Sequence, residues 1–435
     1  MRKIQQQVQQ FMSRYSMSSQ QTDIEENARK FIAEMRRGLN GEDCSLRMIP
    51  TYYNPADKIK ANERVTVLDA GGTNLRAASV WFDENNGTHI EDRVSTEMPG
   101  IRTEITDKDL FHEIALLIQT HLAKSETIAF CFSYASIPTP ERDGIVNEMG
   151  KQLKVKNIVG KKLACGLNDA LHEMGCEQKK IVVLNDSVST LLGSVPLAPQ
   201  KHYSGYLGFI LGTGLNASYV ENIKNIGKLR GSCSQNQMII DTEAGNYDKF
   251  PRGVFDEEYD KTLMDFGLWQ FEKMAAGRYQ GGLIYFTVKK AIEDGLFSDR
   301  FGKKFSRAGN LVSRQIDEFL DQPDGDGVLA GCCAGEDPND AVTLYYIINE
   351  MIERAAKMTT ACLAAMMLQA QIGENPFRPA CITGDGSTFY KSKMFQRKLE
   401  YYMKQCVNDQ LGLHYRFRHV TDVNMIGSAI AALSN

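Results

Sequence analysis

Two stretches of the chain share one hydrophobic–polar pattern. Val65-Thr66-Val67-Leu68-Asp69-Ala70 is an aliphatic, β-branched run that breaks at Gly71-Gly72-Thr73-Asn74-Leu75-Arg76 and resumes as Ala77 to Phe82. Gly208-Phe209-Ile210-Leu211 breaks at Gly212-Thr213-Gly214 and resumes through Leu215-Asn216-Ala217-Ser218-Tyr219. Each predicts strand, tight glycine turn, strand. Elsewhere, Ile24, Ala28, Phe31, Ile32 and Met35 recur at helical spacing behind Thr22-Asp23-Ile24-Glu25, which fits a capping box, and Gly38 and Gly41 end the segment. The Gln-rich tract before it reads as a separate, weaker helix or a frayed arm. Leu110 to Ala123 reads as helix, Thr127 to Ser133 as a buried strand, and Ile181 to Leu184 as another that ends at Asn185-Asp186. After the second hairpin an irregular stretch runs to about Pro251, followed mostly by helix from Phe255 to Leu368. Pro376 and Pro379 precede one more strand, Ala380 to Thr383, which stops at Gly384-Asp385-Gly386-Ser387, and a helix beginning near Met425 closes the chain. Strands and helices alternate, and polar residues stand at the carboxyl ends of apolar strands, where open α/β sheets bind ligands.

At 435 residues the chain exceeds the size at which a single core stops growing, so two lobes are expected. A net charge of -4 gives no electrostatic case for nucleic acid or an anionic membrane. Met1 to Gln7 lacks the apolar core of a secretory signal, and the most apolar stretch, Ala361 to Met367, is too short to span a bilayer. The 10 cysteines show no CxxC and no histidine at zinc spacing, which predicts small buried hydrophobes in a reducing cytoplasm. Adjacency alone marks Cys332-Cys333, and the histidines form no catalytic pattern.

The strand-end groups carry the candidate chemistry. A glycine turn between strands lets backbone N–H groups converge on an anion, because no Cβ blocks the approach. Asp69 precedes the first turn and suits a Mg²⁺ ion or its water; Arg76 adds a permanent cation for phosphate. An ordinary hairpin is the alternative for one turn alone. The second turn weighs against it, as does the strand-to-helix turn Gly384-Asp385-Gly386-Ser387. Two turns facing one polyphosphate imply a phosphotransferase with a cleft. Asp186, at a strand mouth, suits a base for a hydroxyl nucleophile, although Asn-Asp after a strand is commonly a turn or helix cap. Glu243 and Glu272 are further acids of the kind that bind paired sugar hydroxyls; for Glu272 the alternative is a solvated helix residue beside Lys273.

From about Ile24 to the end, the chain resembles the eukaryotic-type hexokinase family, of the superfamily that includes actin and the heat-shock ATPase chaperones. Leu68 to Arg76 is similar to the family's LDLGGTNFR, Phe132-Ser133-Tyr134 to its FSFP loop, and Asn185-Asp186-Ser187-Val188 to its NDTV. Gly212 to Ala217 resembles GTGTNA, Thr242-Glu243-Ala244-Gly245 resembles TEWG, Phe271 to Tyr279 resembles FEKMISGMY, and Gly384 to Ser387 with Tyr390-Lys391 resembles the late DGSxYK element. The resemblance implies an α/β, two-lobed actin-like ATPase (ribonuclease H-like) fold with a cleft between lobes. Residues 1–64 would pack on the large lobe, 65–186 form the small lobe, and 187–424 the large lobe, with 425–435 returning to the small one. It implies an ATP- and Mg²⁺-dependent hexokinase that phosphorylates the 6-hydroxyl of a hexose, with Asp186 as base. Ser133, Lys151, Asn185, Asn216, Glu243 and Glu272 would bind sugar. Asp69, Gly71, Gly72, Thr73, Asn74, Arg76, Gly212, Thr213, Gly384, Asp385, Gly386, Ser387 and Gly427 would hold the nucleotide, and Asp69 and Asp186 would meet Mg²⁺ through water. A hexokinase-like sugar sensor is the alternative; an actin-type ATPase would need no hexose contacts. The chain departs from the family at Ala135 for the FSFP proline, Gly150 for a threonine, Trp269 for a glutamine, and Asn424 to Ala429 for SGKGAA.

Overall fold

In the computed structural model, residues 1–55, 58–149, 153–195, 202–229, 236–335 and 337–434 are described. The chain opens with helices α1 (Arg2–Arg14) and α2 (Ile24–Asn40) and the short strand β1 (Ile49–Pro50). There follow β2 (Val65–Ala70), β3 (Asn74–Phe82), β4 (Thr88–Glu97), β5 (Ile105–Thr106), α3 (Asp107–Ile118) and β6 (Thr127–Phe132). A hairpin of β7 (Ser136–Pro138) and β8 (Gly144–Val146) leads to β9 (Val155–Lys156), α4 (Leu163–Glu173), β10 (Lys180–Leu184) and α5 (Asp186–Leu192). Next come β11 (Gly205–Leu211), β12 (Leu215–Asn222) and β13 (Gln237–Asp241), then helices α6 (Val254–Lys261), α7 (Gln270–Ala275), α8 (Gly277–Glu293), α9 (Asp299–Ala308), α10 (Ser313–Asp321), α11 (Val328–Cys333) and α12 (Pro338–Ala370). The chain finishes with β14 (Ala380–Asp385), α13 (Ser387–Lys391), α14 (Lys393–Tyr402), β15 (Tyr415–Arg418) and α15 (Val423–Leu433).

Two sheets are wound in the same order. In one, β4-β3-β2 is an antiparallel meander to which β6 and β10 add in parallel; in the other, β13-β12-β11 is the meander and β14 and β15 add in parallel. The repeated pattern seen in the sequence is thus the β2–β3 turn of one sheet and the β11–β12 turn of the other. One face of the first sheet buries α3 and α4 through Leu110, Ile114, Leu163 and Leu167. Its other face and the second sheet share a core with α5 and α15, in which Val67 and Ala129 join Tyr206, Ile239 and Cys381. Both helices therefore lie between the sheets, and Asp186 begins the first of them.

The helical layer covers the far side of the second sheet. At its centre is α12, 33 residues long and about 50 Å at 1.5 Å per residue. The stripe Ile24, Ala28, Phe31, Met35 and Leu39 of α2 packs against it. Its cap is Asp23, whose carboxylate accepts from the Glu26 N–H at 2.7 Å, one residue later than the Thr22 box expected from the sequence, and Gly41 closes it in the left-handed region. The Gln-rich tract is no frayed arm: Val8, Phe11 and Met12 anchor α1 in the same core. The stretch expected to be irregular contains β13, a run of three apolar residues between Gln237 and Asp241 that pairs with β12 and β1.

Buried ion pairs sit inside this layer, Lys273–Asp260 among them. Arg354 of α12 meets Asp256 at 2.6 Å, with both side chains almost wholly buried. Removing one partner strands a charge in the core, which costs about 3–5 kcal/mol. Arg354→Met is expected to lose stability on that scale in urea unfolding; a loss below about 1 kcal/mol would show that the pair is dispensable.

Candidate active site

The two glycine turns end in one cleft of about 420 Å³. In the first, the Gly71 N–H donates to the Asn74 carbonyl at 3.0 Å; in the second, the Gly212 N–H donates to that of Gly214 at 3.0 Å. Neither turn uses a positive φ, so an ordinary hairpin's need for left-handed backbone does not explain these glycines. At the second turn close approach does, whereas a Cβ on Gly72 of the first would meet nothing within 4 Å. A Cβ on Gly212 would lie 3.2 Å from the Gly386 Cα, and one on Gly386, which has φ of +108°, would collide with the Leu211 carbonyl. The β11–β12 turn and the β14–α13 turn thus interlock glycine to glycine and form one wall.

Asp69, Gly71, Gly72, Thr73, Asn74, Arg76 and Ser133 from the first sheet line the cleft, opposite Gly212, Thr213, Asp385, Gly386 and Ser387 from the second. Asn185 and Asp186 form part of its lining at the start of α5, together with Asn216, Glu243 and Glu272. Two sequence-predicted nucleotide residues lie elsewhere. Gly384 is inside β14, packed against the Phe389 ring, and Gly427 is buried where α15 crosses α5, with no room for a Cβ beside the Ser189 carbonyl. Neither lines the cleft; Asn424, one turn earlier on α15, does, and its amide donates to Asp385 at 3.1 Å. Lys151 and Gly150 lie outside the described residues.

The carboxyls along this cleft are held in unusual states. Loss of solvent pushes Asp186 up to about 7, opposed by a hydrogen bond from Ser133 and reinforced by the charges of Asp241, Asp69 and Asp385. Asp69 rises to about 6 through burial, against the pull of Arg76, whose guanidinium is 3.8 Å away, and with Asp385 adding to the rise. Glu272 rises to about 7 through burial, although its Oε2 accepts from the Leu215 N–H at 2.8 Å and Arg278 attracts it. Glu243 is raised by burial and by neighbouring acids, with Arg47 opposing.

Two residues past the second turn, the Asn216 amide donates to Asp241 at 2.9 Å and to Asn185 at 3.3 Å, while its Oδ1 accepts from the Ala217 and Ala244 N–H groups. Glu243 and Trp269 both hold left-handed backbone, with φ of 53° and 48°. Such strain costs on the order of 1–3 kcal/mol per residue and persists where the surroundings impose it, characteristically at functional sites. Trp269 lines the cleft beside Glu272. Asp241 and Asn424 were not singled out from sequence; an acid closing a short apolar run was the available signal for the first.

Among the described residues no three His, Cys, Asp or Glu side chains converge as a metal cage. The acids nonetheless suit a hydrated Mg²⁺, which keeps several waters and takes only one or two carboxylates, because Asp69, Asp186 and Asp385 repel one another across the cleft. The arrangement brings two glycine turns, a carboxyl of raised basicity and several further amides and acids to one cleft.

Two family models, both described as hexokinase, match residues 7–195 and 206–434. The chain is 27% identical to Hexokinase-like 1 protein of Arabidopsis thaliana over 434 residues, covering 92% of this chain and 86% of that one. It is 25% identical to human Hexokinase-2 over 441 residues, covering 96% of this chain but 47% of the relative, about half its length. A solved hexokinase from Schistosoma mansoni, complexed with glucose, superposes with a TM-score of 0.81 at 20% identity, over 99% of each chain. A glucokinase of the ROK family from Streptomyces griseus, in complex with glucose and AMPPNP, superposes with a TM-score of 0.52 at 13% identity over 85% of this chain and 99% of that one.

Proposed function

Because this chain belongs to the hexokinase family, whose two models match residues 7–195 and 206–434, we propose that it transfers the γ-phosphoryl group of ATP to the 6-hydroxyl of a hexose. The observation that carries this reading is the position of Asp186, at the first turn of α5 between the two sheets, in one cleft with both glycine turns and with Asn216, Glu243 and Glu272. The hexose would lie among Asn185, Asn216, Glu243 and Glu272, its acceptor hydroxyl against the Asp186 carboxylate. As the new O–P bond forms and the bond to the leaving ADP breaks, the hydroxyl proton passes to Asp186. A loose transition state needs little proton transfer early, so a carboxylate suffices. The Gly71–Asn74 and Gly212–Gly214 turns and Arg76 would cradle the polyphosphate. Mg²⁺ bound with ATP would supply charge neutralisation, with Asp69 and Asp186 as its protein neighbours through water. The lobes proposed from the sequence, 65–186 and 187–424, would close about α5 and α15 and exclude water that competes for the phosphoryl group.

Three elements of the family's usual sugar pocket are changed in this sequence, through Ala135, Gly150 and Trp269, which favours tolerance among hexoses. A coupled assay with MgATP across glucose, mannose, fructose and glucosamine tests both claims. Turnover with at least one sugar is expected, with discrimination of about 1–3 kcal/mol between the best and the next. A glucose preference above about 10⁴-fold over all three others would refute the tolerance. A second reading, a hexose-binding sensor with little turnover, draws on the likeness to a hexokinase-like protein and on the altered pocket. Hexose binding without turnover would favour it.

The raised Asp186 carboxyl sets the pH dependence. A base works only when ionised, and burial has moved ionisation up to about 7. The value of kcat/KM is therefore expected to fall as pH drops below about 7, about tenfold per unit in the limit. A profile flat down to about pH 5.5 would exclude a base with this titration.

A further inference from the structure

Asp241 does not line the cleft; behind it, it faces a separate cavity of about 10 Å³ shared with Thr51, Ser136 and Asn185. It is 3% exposed and is the last residue of β13. Its Oδ1 gathers three donors from three directions. The Asn216 amide of β12 reaches it at 2.9 Å, the Ser187 hydroxyl of α5 at 3.3 Å, and the Glu243 backbone N–H at 3.3 Å. One oxygen thus ties the residue after Asp186 to both a sugar-binding amide and a sugar-binding acid. The third tie matters most, because the left-handed backbone of Glu243 does not hold itself. Asn216 has the complementary problem. Its amide group rotates freely unless both ends are bound, and its Oδ1 is already committed to the Ala217 and Ala244 N–H groups.

We propose that Asp241 is a positioning residue for the hexose, a single buried acceptor that orients Asn216 and Glu243 toward the sugar without touching it. The proposal rests on the hexose-binding reading of this cleft. The acceptor, rather than the full negative charge, is what the geometry uses, since all three donors converge on one oxygen. An asparagine can place its carbonyl oxygen there, whereas an alanine leaves three buried donors without an acceptor.

The test compares wild type, Asp241→Ala and Asp241→Asn by calorimetric titration with glucose and mannose and, separately, with MgATP. Asp241→Ala is expected to weaken hexose binding about tenfold or more, with MgATP affinity within about twofold of wild type. Asp241→Asn is expected to bring hexose affinity back to within about threefold of wild type. Unchanged hexose affinity in Asp241→Ala overturns the proposal, as does equal loss of both ligands, which marks general loosening. Asp241→Asn as weak as Asp241→Ala also overturns it, because the charge would then be what matters. Should Asp241→Ala fail to fold, Asp241→Asn decides alone: retained hexose affinity supports the proposal and a loss beyond about tenfold ends it. Wild type that binds hexose without turnover defeats the kinase reading and leaves this one standing; wild type that binds neither sugar defeats both.

Discussion

Asp186→Ala is expected to lower kcat by about 10²–10⁴ while hexose affinity changes far less. The asymmetry follows from placement. Asp186 stands at the strand-to-helix junction between the sheets, whereas the proposed sugar contacts are spread over Asn185, Asn216, Glu243 and Glu272. The side chain itself accepts from Ser133, a contact that crosses from the β6 end to α5. Asp186→Asn keeps that shape and removes the base, so it should lose turnover nearly as fully. Steady-state kinetics with MgATP and a saturating hexose measure both variants. Near-normal turnover in either would remove Asp186 from the reaction, and a parallel collapse of hexose binding would make it a binding group instead.

The second large effect is structural. Gly427→Ala would normally stabilise a helix, by up to about 1 kcal/mol. Here the sign is expected to reverse. A Cβ at 427 would meet the Ser189 carbonyl and stand 2.9 Å from the Gly193 N, and Gly193 in turn leaves only 2.6 Å between its own would-be Cβ and the Val423 carbonyl. Both obstructions are backbone, so no rotamer change relieves them. α15 must lift from α5, against the hydrogen bond that the Ser189 hydroxyl donates to the Asn424 carbonyl at 2.7 Å and the 2.9 Å hydroxyl–hydroxyl bond between Ser189 and Ser428. A cost of about 3 kcal/mol or more is expected in denaturant unfolding, the upper end of overpacking penalties. The KM for ATP of the folded fraction should hardly move. A variant as stable as wild type with a raised KM for ATP would return Gly427 to the nucleotide contacts that its motif position implied.

How much of this was legible beforehand varied with the kind of signal. The two hairpins were plain because each couples a β-branched run to a glycine break, a local cause with a local effect. Asp186 was plain for the same reason, as an acid directly after four apolar residues. Gly427 does not line the cleft its motif position implied, because a glycine that serves helix crossing and one that serves a ligand look alike in sequence. Asp241 was invisible as a hub, since its three donors come from residues 187, 216 and 243 and meet only in the folded chain. The α1 helix was undervalued because its glutamines hide the three apolar residues that anchor it. Nothing local marks the left-handed backbone of Trp269, which the buried Lys273–Asp260 and Lys273–Asp265 pairs behind its loop help to fix.

The cluster of raised acids has a consequence for the persistence of the fold itself. Asp69, Asp186 and Glu272 titrate near 6 to 7 in the native protein and near 4 once the chain unfolds. Between those limits the native state holds more protons than the unfolded one, so each rise in pH through this window withdraws stability rather than adding it. The acids of the cleft therefore repel one another most at neutral and alkaline pH, where Asp186 is ionised. Any molecule whose hydroxyls or cationic charge satisfy those acids binds only the native state and restores what ionisation removed, by an amount that grows with the logarithm of its concentration. Substrate supply would then set the lifetime of the protein as well as its rate of turnover, and scarcity would leave the idle molecules the first to unfold.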